Sequence, residues 1–159
     1  MRYCASMIDP SALATELEET WHREIPLAVA MGVAVESYDG HTLTVRAPLA
    51  ANRNVHGTAF AGSLYSICVL TGWGATWLAW QENRLSGSIV VADSTIQYRK
   101  AVSGDLLCRC ALNAEAVAAA VQEFGASGRA KLPLSCAVDA GDRRAVTFMG
   151  TYVVQTPHH

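Results

Sequence analysis

Asn52-Arg53-Asn54-Val55-His56-Gly57-Thr58-Ala59-Phe60-Ala61-Gly62-Ser63-Leu64-Tyr65, running on to Trp80, is the stretch whose reading decides the fold. It opens as a polar loop and becomes an apolar segment with no formally charged residue between Arg53 and Glu82. Small residues (Ala59, Ala61, Gly62, Ser63) come first and bulky ones (Trp73, Trp77, Trp80) last. The pattern predicts one buried helix over about 58–80, hydrophobic on nearly all sides because a sheet wraps it. Free backbone N–H groups at a helix start favour negative charge, and small residues there let a ligand approach the backbone. A membrane span is the competing reading of such a run. The Gly, Ser, Thr and Tyr content and the lack of a flanking basic cluster argue against it.

A chain of 159 residues with 51% hydrophobic content predicts one domain, 1–159, with one core. A net charge of −2 predicts neither nucleic-acid binding nor attraction to anionic membranes. The first residues lack the continuous apolar core of a signal peptide. Cys4, Cys68, Cys108, Cys110 and Cys136 lack metal-site spacing and read as reduced thiols of a cytoplasmic protein. His158-His159 are set aside.

Upstream, Asp9-Pro10-Ser11 starts an N-terminal helix with Leu13, Leu17 and Trp21 on one face. Ile25-Pro26 bends it, so helical structure covers about 9–30. Gly32 opens a strand, Asp39-Gly40 marks a hairpin, and the return strand stops at Pro48. Downstream, Ser88–Lys100 is a long strand, with Ile89, Val91, Asp93, Thr95 and Gln97 expected on one face and Val90, Ala92, Ser94, Ile96 and Tyr98 on the other. Leu106–Leu112 runs back, Asn113 caps a helix that Gly125 ends, and two further strands follow. Pro133 suggests an edge strand or a bulge. The order predicts an α+β fold, an antiparallel sheet of about six strands around the central helix. An open sheet face predicts a homodimer or a dimer of dimers.

Several pieces carry a specific resemblance: Trp21-His22-Arg23-Glu24-Ile25-Pro26-Leu27, Met31-Gly32-Val33, Asn52-x-Asn54-x-His56-x-Thr58, Phe60-Ala61-Gly62-Ser63-Leu64, Leu70-Thr71-Gly72-Trp73-Gly74, Ala92-Asp93 and Ile96-x-Tyr98. Over Leu17–Val154 the chain resembles the hotdog-fold superfamily of acyl-thioester enzymes, and within it the YiiD C-terminal domain family. The resemblance implies an acyl group on acyl carrier protein or coenzyme A, in a tunnel at a dimer interface. It places the thioester carbonyl at the N-terminus of the central helix. It also implies decarboxylation of malonyl-acyl carrier protein to the acetyl form that starts fatty-acid synthesis. No cofactor or metal is implied beyond the phosphopantetheine that carries the substrate.

Hotdog thioesterases usually place a carboxylate on the central helix as general base or nucleophile. Counted from the His-Gly pair, that position falls on Tyr65, and no Asp or Glu occurs between Asp39 and Glu82. The second glycine of the usual His-Gly-Gly is replaced by Thr58. Decarboxylation needs neither base nor nucleophile. It needs donors to the developing enolate oxygen and a carboxylate turned out of the thioester plane. Backbone N–H groups of Gly57 and Thr58, an amide from Asn52 or Asn54, and the Thr58 and Ser63 hydroxyls are the expected donors.

Each has a structural alternative. Asn54 reads equally as a helix cap, Asn52 as a turn residue, and His56 as a packed loop histidine or a proton donor. Tyr65 reads first as core packing with a satisfied hydroxyl, and Cys68 as an inert core thiol. Asp93 is either a general base that restores hydrolysis or a structural acid bonded to the loop or a partner subunit. Arg99 and Lys100 are candidates for the phosphopantetheine or carrier contact, with Arg53 beside them. Three readings follow: malonyl-thioester decarboxylase, acyl-thioester hydrolase, and a non-catalytic acyl-carrier-binding dimer.

Overall fold

The computed structural model describes residues 8–157; Cys4 and His158-His159 lie outside them. Helices α1 (Pro10–Glu24) and α2 (Pro26–Met31) lead into strands β1 (Ala34–Tyr38) and β2 (Thr42–Ala47). A turn, α3 (Leu49–Asn52), precedes the long helix α4 (Ala61–Glu82). Strands β3 (Ser88–Tyr98) and β4 (Leu106–Ala111), helix α5 (Ala114–Ser127) and strands β5 (Arg129–Ala140) and β6 (Arg143–Gln155) complete the chain. The six strands form one antiparallel sheet in the order β1-β2-β4-β5-β6-β3. α4 lies across it and packs on every strand from β2 to β6. This is the hotdog fold. No helix among the described residues is long and apolar enough to cross a membrane.

Close approach fixes α4 in place. A Cβ on Gly72 would collide with the ring and hydroxyl of Tyr152, whose Oη donates to the Val69 carbonyl at 2.8 Å. A Cβ on Gly74 would sit 2.6 Å from the Trp21 ring of α1. Glycine at these positions lets helix, sheet and α1 meet without a side chain between them. The two buried threonines of the helix are satisfied within it: Thr71 Oγ1 donates to Ile67 O at 2.6 Å and Thr76 Oγ1 to Gly72 O at 2.9 Å. Cys68 is buried against Cys108, with 3.8 Å between the sulfurs, and that contact together with burial pushes its thiol pKa up.

Several boundaries differ from the sequence expectation. α4 starts at Ala61 rather than near Thr58, because Thr58 bends within the Asn54 loop, Ala59 bridges back to Arg53 and Phe60 is extended. α5 runs through Gly125 to Ser127 and ends at Gly128, which takes a φ of 73° and donates its N–H to Phe124 O at 2.7 Å. Pro133 is on an interior strand, not an edge. β4 pairs with β5 only at Cys136–Val138, so Pro133 lies beyond that ladder and its missing N–H breaks no β4 bond.

The most consequential difference is in β3. Val91 faces Tyr152 and Asp93 faces Thr151, which leaves Ala92 as an extra residue in a bulge. The bulge exchanges the two faces for the rest of the strand. Ser94, Ile96 and Tyr98 stand opposite Gly150, Phe148 and Val146 on the α4 side. Asp93, Thr95 and Gln97 point outward.

Candidate active site

Asn52 is 2% exposed and ties together three backbone segments. Its Nδ2 donates to Met31 O and Pro48 O, each at 2.8 Å, and its own carbonyl accepts the Phe60 N–H at 2.7 Å. The amide donors are thereby consumed, so Asn52 sets the entry to α4 instead of presenting an amide to a ligand. Its Oδ1 is buried with no protein partner.

Asn54 builds the loop that follows. Its Oδ1 accepts the N–H of His56 at 2.9 Å and of Thr58 at 3.1 Å. Its backbone N–H donates to Thr58 O at 2.7 Å and its carbonyl accepts the Gly57 N–H at 3.2 Å. Its Nδ2 donates to Thr58 Oγ1 at 2.9 Å. Asn54 therefore neither caps α4 nor leaves the Gly57 and Thr58 amides free; those donors turn inward onto it. The Asx-type turn wins because one short side chain satisfies two backbone donors at once. Gly57 takes a φ of 79° that the turn requires. Val55, at the tip, is 94% exposed, and His56 and Gly57 are exposed beside it.

The open donors lie one step further on. The residue before α4 is Phe60, and no side chain caps the helix. Its first backbone bond runs from Leu64 N–H to Phe60 O at 3.0 Å. The N–H groups of Ala61, Gly62 and Ser63 precede that ladder, at the positive end of a helix of 22 residues. Tyr98 Oη donates to Ala61 O at 3.0 Å, which holds the end of β3 against this first turn.

A cavity of about 330 Å³ opens here, lined by Asn54, Thr58, Ala61, Leu64, Tyr98, Arg99 and Lys100 among others. The structure thus brings Asn54, Thr58, Arg99 and Lys100 together at the head of α4. Arg99 and Lys100 are exposed on its rim, and the Arg99 guanidinium bonds Gln97 Oε1. No Asp or Glu is among its lining residues. Ser63 is half-buried in the first turn but does not line the cavity, and neither do His56 and Gly57. Asp93 is exposed on the outer face of the sheet, beside a separate hollow with Ser135, Met149 and Thr151.

Tyr98 escaped the sequence reading of the site. Its place there depends on the Ala92 bulge, which changes strand parity without a Gly or Pro to announce it. Among the described residues, no three His, Cys, Asp or Glu side chains converge as metal ligands do.

The family described as "Putative thioesterase (yiiD_Cterm)" matches residues 14–156. A protein of unknown function from Chlorobaculum tepidum superposes with a TM-score of 0.90 at 29% identity, over 95% of this chain and 99% of its own. A protein from Shewanella oneidensis described as a "putative thioesterase" gives 0.80 at 34% identity, over 92% and 99%. A "probable thioesterase" from Pseudomonas aeruginosa shares the fold at 0.77 with 20% identity, over 94% and 97%.

Proposed function

The chain belongs to the YiiD C-terminal thioesterase family, and on that premise we propose that it decarboxylates a malonyl thioester carried on acyl carrier protein or coenzyme A. The product is the acetyl thioester, a starter for fatty-acid synthesis in the cytoplasm. The observation that carries this reading is the cavity at the head of α4, which has cations on its rim, neutral donors inside and no carboxylate among its lining residues.

Hydrolysis needs a group that activates water or attacks the carbonyl. Decarboxylation needs only the enolate oxygen stabilised and the departing carboxylate left loosely held. The Ala61 N–H at the cavity wall meets the first need: charge that develops on the thioester oxygen falls at the positive end of α4. The neutral Thr58 hydroxyl, which accepts from Asn54 and keeps its own proton to give, meets the second. An ion pair with the malonyl carboxylate would stabilise the substrate more than the transition state. Arg99 and Lys100 suit the phosphate of the phosphopantetheine arm and the acidic surface of a carrier protein. Asn52 positions the loop. His56 and Gly57 form its exposed tip, which a second subunit covers when the open edge of β3 pairs with its copy.

The family description and the description of the Shewanella oneidensis relative favour a second reading, hydrolysis of an acyl thioester. Mass spectrometry of malonyl-acyl carrier protein and malonyl-coenzyme A after incubation separates the readings. Carbon dioxide with an intact acetyl thioester is the expected result. Free carrier thiol or free coenzyme A would mean hydrolysis. No turnover of either would leave a non-catalytic acyl-carrier-binding dimer.

A further inference from the structure

Tyr98 ends β3 in the wall of the cavity at the head of α4, and its Oη donates to Ala61 O at 3.0 Å. Ala61 lines the same cavity with the first free N–H of the helix. One hydrogen bond therefore fixes a phenol against the residue that supplies the donor for the thioester oxygen. The carbon that carbon dioxide leaves is bonded to the same carbonyl carbon as that oxygen. Few other groups here can give it a proton. Arg99 keeps its charge at any working pH. The Thr58 hydroxyl and the Asn54 amide are far weaker acids than a phenol. Lys100 is exposed on the rim. Tyr65, the neighbouring phenol, is turned away. It lines a separate apolar groove of about 280 Å³ along α4 with Leu27, Val69 and Trp73, and its hydroxyl is 2.6 Å from Ser94 Oγ. Tyr98 is 48% exposed, so solvent reaches it without a relay. Partial burial raises its pKa above the ordinary phenol value, which keeps it protonated at neutral pH.

We propose that Tyr98 is the acid that completes the decarboxylation, giving its hydroxyl proton to C2 of the enolate. The inference rests on the decarboxylase reading. The hydroxyl hydrogen turns about its C–O bond from Ala61 O to the substrate. Ala61 O keeps the Tyr65 N–H of the helix ladder, so it is not left bare. The bond between C2 and the carboxylate carbon breaks, carbon dioxide leaves, and the electron pair stays on the thioester as its enolate. A C2–H bond then forms as the Tyr98 O–H bond breaks, and the tyrosinate takes a proton back from solvent at the cavity mouth. The sum is a malonyl thioester anion plus one proton giving an acetyl thioester and carbon dioxide. A phenol is a much stronger acid than the α-carbon of a thioester, so the transfer runs downhill.

Tyr98→Phe keeps the ring in the cavity wall and removes only the hydroxyl. Its kcat on malonyl-coenzyme A is expected to fall about 100-fold with KM unchanged. Protonation then limits the rate, and the stranded enolate recaptures carbon dioxide. Labelled carbon dioxide therefore enters the remaining malonyl thioester in the variant and not in the wild type. The variant, unlike the wild type, also slows further in heavy water. A residue that merely held the first turn of α4 would slow carbon–carbon cleavage itself, and neither sign would appear. Undiminished turnover in Tyr98→Phe, a loss without exchange, or exchange in Lys100→Met instead overturns the assignment while leaving the decarboxylase reading in place. A wild type that releases no carbon dioxide overturns both.

Discussion

β1 closes one edge of the sheet in five residues, whereas β3 leaves the other edge open for eleven. On the closed side, Glu18 of α1 reaches over to accept the Val35 N–H at 2.7 Å. Arg46 pairs with Glu36 at 2.9 Å, and Tyr38 donates to Glu82 at 2.7 Å, which ties β1 to the far end of α4. A bulge lies between Val35 and Ser37. Short length, charge, a bulge and a covering helix are the usual ways to keep an edge from pairing. On the open side, β3 pairs only with β6, Val90 is 50% exposed, and Met149 of β6 is 63% exposed on the same outer surface. The cavity at the head of α4, the groove beside Tyr65 and the Asn54 loop involve the open side or the helix start next to it. Protection against pairing is thus spent on the edge away from the site.

The largest expected effect comes from charging the open edge. If the open edge pairs with its copy as proposed, the wild type is a dimer by size-exclusion chromatography with light scattering. Val90→Lys should turn it into a monomer, and activity should disappear with the dimer. A dimer that persists would place the interface elsewhere. Next in size is Asn54→Ala, which removes the acceptor of two backbone N–H groups and the donor to Thr58. Turnover should fall about 100-fold or more as the loop loses its shape, whereas the thermal midpoint should move little because the loop is at the surface.

Smaller again is Glu18→Ala on the closed edge. It leaves the Val35 N–H without its acceptor and should cost about 1–2 kcal/mol in denaturant unfolding with kcat unchanged; Glu18→Gln should recover most of it. The smallest effect is at the β1–β2 turn. Asp39 accepts the N–H groups of Thr42 at 2.7 Å and His41 at 2.8 Å, and these bonds hold its pKa below 3.8. Because the folded-state value is depressed, the stabilisation is present above the unfolded value and is lost as pH falls through the folded one. Asp39→Ala should therefore lower the midpoint slightly at neutral pH and not at all in strong acid.

How much of this was legible in the sequence varied with the distance over which the chain had to be read. Absence of charge from Asn54 to Gln81 revealed α4, since a surface helix of that length needs a polar face. Asp39-Gly40 gave the hairpin because a turn of that kind is a local event. The start of α4 was misplaced because Phe60, a residue with no capping chemistry, precedes it, while the cap-like Asn54 serves its own loop. Asn54, Thr58, Arg99 and Lys100 could be named as candidates from residue type alone. Their meeting in one cavity could not, because it depends on where β3 returns against α4. The contact of Tyr65 with Ser94 joins residues 29 apart in sequence across a bulge that local pattern does not mark.

The central claim is that this site removes carbon dioxide without a carboxylate of its own. Its most direct test compares the products of the wild type and Asp93→Asn acting on malonyl-acyl carrier protein labelled in the carboxyl carbon. The account predicts labelled carbon dioxide and an intact acetyl thioester from both proteins. Free carrier thiol from the wild type that vanishes in Asp93→Asn would contradict it and make Asp93 the base of a hydrolase.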